Sequence, residues 1–178
     1  NRLLDLSGDG NHGTLTNMDP ATDWVTGQGG WALDLDATNN YVSCGLAFGS
    51  RTELTVAAQV MFNAVGADRA IGSQFTDGKF GEWILQMDAL GPSGSSNVIS
   101  FVIVPLAYGA SSWPWCETAT NSVTANTWYS ILATWKSGVG MGLYVNGVDA
   151  KAWERSPTNE VTIASEKDYR IGYTAGNQ

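Results

Sequence analysis

Two groups of side chains in this 178-residue sequence have types and spacings that could do chemistry. The first is Asp5-x-Ser7-x-Asp9-Gly10-Asn11, with oxygen ligands at alternate positions and glycine at the sixth. A calcium loop of the EF-hand kind begins this way, because a hard cation needs several oxygens gathered around a tight turn. The bidentate Glu expected at the twelfth position is replaced by Thr16. The same residues also fit an Asx/Gly turn entering a strand. The second group is aromatic. Trp113-Pro114-Trp115 holds two indoles apart in an extended segment, because proline fixes φ. Trp24 and Trp153 also lie in turn-rich stretches. Exposed indoles can stack on the C–H faces of sugar rings, whereas most indoles roof a core. The sequence alone allows both uses.

Catalytic constellations are poor. His12 is the single histidine and lies in a Gly-rich turn, so a Ser-His-Asp triad is not expected. Glu82 and Asp88 share one face of an alternating segment, but six residues of strand put them about 20 Å apart. A glycosidase pair needs roughly 5–9.5 Å. Asp34 and Asp36 are about 6.6 Å apart on a short strand, yet solvated carboxylates are the default on its polar side. The sequence is therefore read as that of a non-enzyme. Cys44 and Cys116 stand 72 positions apart. A disulfide closing that loop would contribute roughly 4 kcal/mol in the chain-entropy model; two thiols buried as small hydrophobes are the alternative. No Cys/His spacing suits zinc.

These side chains must be positioned by strands. Period-2 alternation runs through Trp31-x-Leu33-x-Leu35, through Leu54, Val56, Ala58, Val60 and Phe62, and through Trp83, Leu85 and Met87. Tyr129, Ile131, Ala133 and Trp135 alternate likewise; Trp31, Trp83, Trp128 and Trp135, on these regular strands, are expected in the core. Residues 98–104 are apolar on both faces, as in a central strand covered from both sides. Met141, Leu143 and Val145 run into Asn146-Gly147, the dipeptide that a type I′ hairpin prefers. Further strands are expected at 41–45, 161–164 and 169–173. Gly-rich turns separate them at 8–13, 27–30, 66–68, 77–78, 91–96 and 138–140. About ten strands without a sustained helical period make an all-β sandwich or barrel.

Composition agrees and excludes several partners. Charged residues are only 15%, while glycine numbers 21 and tryptophan 8, a mixture that disfavours helices. The formal charge of −8 speaks against nucleic acid and against anionic lipid. No apolar run reaches the length of about 18 residues needed to insert in a membrane.

Three stretches taken together resemble the laminin-G-like family of the concanavalin A-like lectin/glucanase superfamily. They are Asp5 to Leu15, Gly30 to Val42, and Asn126 to Trp135 followed by Gly142 to Gly147. Their order and spacing match across nearly the whole chain. Ala37 departs from a usual Gly, and Asn40 from a usual Asp. The resemblance implies a two-sheet antiparallel jelly roll over 1–178. Its closing strand has no counterpart before Gln178, so the chain is expected to be part of a longer polypeptide, with an open edge around Thr14 to Thr16. The resemblance also brings calcium, with Asp77, Asn177 and Gln178 in loosely corresponding regions beside the Asp5, Ser7, Asp9 and Asn11 loop. The Glu-x-Asp-x-Glu run of the glucanase relatives is absent. The expected function is a non-catalytic, extracellular or surface-displayed recognition module that binds glycan or protein. The rival is a structural or decoration domain of a larger surface or virus-particle assembly, packed against neighbouring subunits.

Overall fold

Alternation is sufficient to place the longest strands. The computed structural model describes residues 2–36, 38–45, 49–74, 82–105, 113–155, 162–163 and 168–172. Fifteen strands follow in order among them: β1 (Arg2–Leu3), β2 (Gly13–Thr16), β3 (Trp24–Gly27), β4 (Gly30–Leu33), β5 (Tyr41–Ser43), β6 (Glu53–Met61), β7 (Arg69–Ser73), β8 (Trp83–Leu90), β9 (Ser96–Ile103), β10 (Trp115–Thr118), β11 (Trp128–Lys136), β12 (Gly140–Val145), β13 (Val148–Asp149), β14 (Lys151–Arg155) and β15 (Arg170–Ile171). All pairings are antiparallel. A nine-stranded sheet has the order β1-β2-β5-β15-β7-β8-β9-β10-β14, a four-stranded sheet the order β13-β12-β11-β6, and β3-β4 forms a separate ribbon. Among the described residues no helix is long and apolar enough to cross a membrane.

The two sheets pack through their inward rows. Trp83, Leu85, Met87, Ile99, Phe101 and Ile103 meet Tyr129, Ile131, Ala133, Trp135 and Leu143 in one core. Trp83 and Phe101 sit edge to face at 6.5 Å. The Trp83 Nε1 donates to Gln74 Oε1 at 2.8 Å, so this buried indole keeps a polar partner. Asn146 and Gly147 both have positive φ, 53° and 79°, as the type I′ turn between β12 and β13 requires. At the far edge, Lys151 and Glu154 of β14 form an ion pair that grips the Met141 backbone. Lys151 Nζ donates to Met141 O at 2.7 Å, and Met141 N donates to Glu154 Oε1 at 3.0 Å. Side chains thus tie the two sheets together where no ladder can.

Several expectations need correction. Trp31 is 75% exposed rather than core. It lies beside the turn of a two-stranded ribbon, opposite Thr26, and among the described residues no third strand joins that ribbon. Trp128 is only half-buried, because it faces outward opposite Met61. Cys44 and Cys116 are free thiols. Cys44 packs with the small core of Leu15, Met18 and Val42, next to β5, whereas Cys116 belongs to the main core on β10. Five strand spacings separate β5 from β10, about 24 Å, far beyond disulfide reach. Of the open edge expected around Thr14 to Thr16, Thr14 is paired on both sides, by β1 and β5, whereas Leu15 and Thr16 pair with β5 alone among the described residues. Of the strand expected at 161–164, Ile163 forms a single bridge with Arg51; 161 and 164 lie outside the described residues.

Candidate functional site

Three of the four singled-out tryptophans converge because β10 pairs with β9 on one side and β14 on the other. Trp115 lies opposite both Val102 and Arg155; Glu117, two residues on, lies opposite both Ser100 and Trp153. Since side chains alternate along a strand, all of these project from the outer face of the nine-stranded sheet, away from Cys116 and the main core. Trp113 and Trp115 pack on Ile84, Val102 and Val104 of that face. Arg155 binds the two together. Its Nε donates to Trp113 O at 2.8 Å, and its guanidinium carbon stands 5.8 Å from the Trp115 ring centroid, within cation–π range. Trp153, two residues back along β14, remains 57% exposed. Trp24 is not part of this face. It is half-buried in the β3–β4 ribbon opposite Leu33, which packs on the small core.

Beneath the aromatic rim runs a buried polar row that alternation alone did not reveal. Gln86, Ser100 and Glu117 are register neighbours across β8, β9 and β10. Glu117 and Ser100 are fully buried and Asp88 is 5% exposed. Ser100 Oγ and Gln86 Nε2 both donate to the Asp88 carboxylate. Ser93 Oγ donates to Glu117, so the 91–95 turn closes over that carboxylate. A Cβ on Gly91 would stand 2.4 Å from Glu117 Oε2, which explains the glycine there. Burial pushes the Asp88 carboxyl up to about 6, against the lowering effect of Ser100 and Gln86. These groups are occupied with one another and serve to hold the sheet under the tryptophans rigid.

The Asp5 loop has a different logic. Asp5 Oδ1 accepts from Ser7 N and Oδ2 from Asn11 N, each at 2.8 Å, while Ser7 Oγ accepts from Asp9 N at 3.2 Å. These bonds hold the Asp5 carboxyl below its ordinary range, Ser7 contributing most. The oxygens expected to gather a cation are thus turned onto backbone N–H groups. Among the described residues no three His, Cys, Asp or Glu side chains cluster as metal ligands do. Asp77, Asn177 and Gln178 lie outside the described residues. Asp34 and Asp36 are exposed, and Asp36 Oδ1 accepts from Thr38, Asn39 and Asn40 N–H groups, a turn-capping role. A separate open cleft of about 520 Å³, reaching Thr134, Tyr144 and Glu154, lies by the four-stranded sheet.

A family model described as the concanavalin A-like lectin/glucanases superfamily, in its laminin G-like form, matches residues 20–178. The chain belongs to this laminin G-like family. Comparison with curated proteins finds no match. Among solved structures, this laminin G-like chain is similar to the botulinum neurotoxin serotype G binding domain, with a TM-score of 0.63 at 14% identity. The likeness covers 98% of this chain and 41% of that one, so the chain spans about two-fifths of its structural neighbour. At that identity the likeness bears on the fold, an all-β jelly-roll sandwich.

Proposed function

We propose that this laminin G-like domain is a non-catalytic recognition module whose ligand, a glycan, sits on the Trp113–Trp115–Trp153 face. The observation that carries this reading is the convergence of three indoles and Arg155 through the β9–β10–β14 pairing, with Trp153 left 57% exposed on a rigid sheet. Large aromatic surface held at low entropic cost is what a sugar face stacks on. The two carboxylates beneath are buried and bonded to serines and glutamine, which suits support rather than proton transfer to a substrate. No step in this reading uses calcium. Secretion or display at a cell or virion surface follows from the same proposal. The test is a glycan array with wild type and Trp153→Ala. Loss of most binding by the variant is expected; equal binding by both would remove this face from the site.

A further inference from the structure

We infer that the open cleft by the four-stranded sheet is a second ligand site and that its ligand is a neutral saccharide. Two register rows on the outer face of that sheet build it. Glu53, Lys136 and Gly140 stand side by side across β6, β11 and β12, and so do Thr55, Thr134 and Gly142. Each row has side chains on β6 and β11 and none on β12. Met141, between the two glycines, turns its side chain into the core. About 7 Å of backbone is thereby left bare along β12. Lys136 and Thr134 form one bank of this trough, Lys151 and Glu154 of β14 form the other, and Tyr144 closes one end. The volume, about 520 Å³, falls within the range of roughly 300–1,000 Å³ that small ligands occupy.

The polar groups around the trough are unspent, unlike the buried row beneath the tryptophans. The Thr55, Thr134 and Tyr144 hydroxyls have no hydrogen-bond partner among the described residues. Lys136 Nζ meets Glu53 at 3.2 Å, which uses one of the three donors of an ammonium. Lys151 spends two of its three, on Glu154 and on Met141 O. Lys151 and Glu154 are each only about a quarter exposed, so that bank is held in place. A Cβ on Gly142 would stand 2.6 Å from Thr134 Oγ1 and 3.6 Å from the Tyr144 hydroxyl, so these two hydroxyls converge over the bare backbone. The φ of Gly140 is 138°, a conformation that side chains disfavour. Backbone conformation and packing thus both keep the floor clear.

The chemistry of the lining selects the ligand. Two ammoniums and two carboxylates face the trough, so its charge sums to zero and it favours neither an anion nor a cation. A sugar hydroxyl donates and accepts at once. An adjoining ammonium and carboxylate can therefore each engage one of two neighbouring hydroxyls through charge-assisted bonds. The Tyr144 ring, 36% exposed, offers an apolar face to ring C–H groups. A peptide strand is poorly served, because the edge N–H and C=O of Met141 are already bonded to Glu154 and Lys151. The cleft lies on the sheet opposite the tryptophans. With both sites filled, one domain bridges two glycan chains; that consequence alone rests on the tryptophan reading.

Amide chemical-shift titration of the whole chain tests this, with the methyl glycosides of glucose, galactose, mannose and N-acetylglucosamine as probes. At least one should move the amides of Gly140, Met141, Gly142 and Thr134 with saturation in the millimolar range. Trp153→Ala should leave those shifts unchanged, since it alters the other face. Tyr144→Ala, at an exposed position, should weaken binding about tenfold through the lost stacking face. Gly142→Ala, which puts a methyl group on the floor, should act in the same direction. Glucuronate and glucosamine, an anion and a cation of similar shape, should bind no more tightly than the neutral sugars. The proposal is overturned if none of the four glycosides moves the cleft amides, or if Tyr144→Ala binds as wild type does. It is equally overturned if a charged probe binds about tenfold more tightly, or if N-acetylglycinamide, a neutral peptide fragment, shifts the cleft as strongly as the sugars. Shifts confined to Trp115 and Trp153 would support the tryptophan face while removing the cleft.

Discussion

The outer faces of the two sheets are written in the same alternating code and meet opposite fates. On the nine-stranded sheet, Ile84, Gln86, Asp88, Val98, Ser100, Val102 and Glu117 are all buried. On the four-stranded sheet, Thr55, Ala57, Gln59, Met61, Ser130 and Leu132 are exposed. Hydropathy does not explain this, since the covered face contains two acids and the bare one contains Met61 and Leu132. Cover explains it. The 91–95 turn bonds to Glu117 through Ser93, and Trp113 and Trp115 lie over Ile84 and Val102. A polar row that gains a roof must satisfy itself internally, and Ser100, Gln86 and Ser93 do so. The bare face keeps water as its partner.

The largest effect that could break this contrast is pH-dependent. With its carboxyl pushed up to about 6, Asp88 holds a proton in the folded state that the unfolded chain, at 3.8, has already released. Its contribution to stability is therefore fully present below about pH 4 and is lost as pH rises through about 6. The full span is up to about 3 kcal/mol. Urea melts of wild type and Asp88→Asn should diverge across that window. Parallel curves would show that Asp88 is solvated. Asp5 and Asp36, held low by backbone N–H groups, act in the opposite sense: their contribution is present above 3.8 and is lost as pH falls below it.

Two glycines give a smaller and sharper test. Gly91→Ala places a Cβ 2.4 Å from a buried Glu117 oxygen and 2.6 Å from Val98 Cγ2, which should cost about 2 kcal/mol by overpacking. Gly142→Ala, by the bare face, meets Thr134 Oγ1 at 2.6 Å and Tyr144 Cε2 at 3.1 Å. Thr134 Oγ1 is the tip of a half-buried side chain and Tyr144 is 36% exposed, so both can turn aside and the cost should be smaller. Equal losses in chemical denaturation would erase the distinction. The smallest pair is Ser100→Ala, expected to cost about 1.5 kcal/mol at neutral pH by stripping a bond from a buried carboxylate, against Ser130→Ala, expected within about 0.5 kcal/mol.

Much of the sheet was legible because strand alternation is local. The stripes at 54–60, 83–87 and 129–135, the doubly apolar 98–104 and the Asn146-Gly147 turn all lie where short-range pattern places them. The Trp113-Pro-Trp115 pair was legible for the same reason. Its alliance with Trp153 was not, because that contact depends on β14 returning to pair with β10 some forty residues later. Trp31 was misread because its stripe continues Leu33 and Leu35 on paper, while the ribbon that carries it ends in a turn beyond the cover of either sheet. The Asp5 loop offered calcium-like spacing, yet spacing does not say whether an oxygen meets a cation or an amide.

By itself, then, the sequence determined the longest strands, the Asn146-Gly147 hairpin turn and the all-β class, since each follows from dihedral preference and side-chain alternation over a few residues. Only the tertiary structure decided which tryptophans share a face, that Cys44 and Cys116 lie in separate cores, and that Asp88 and Glu117 are roofed. Those depend on the order of strands within a sheet and on what lies over it. Pairing between distant segments sets both, and no local pattern encodes that pairing.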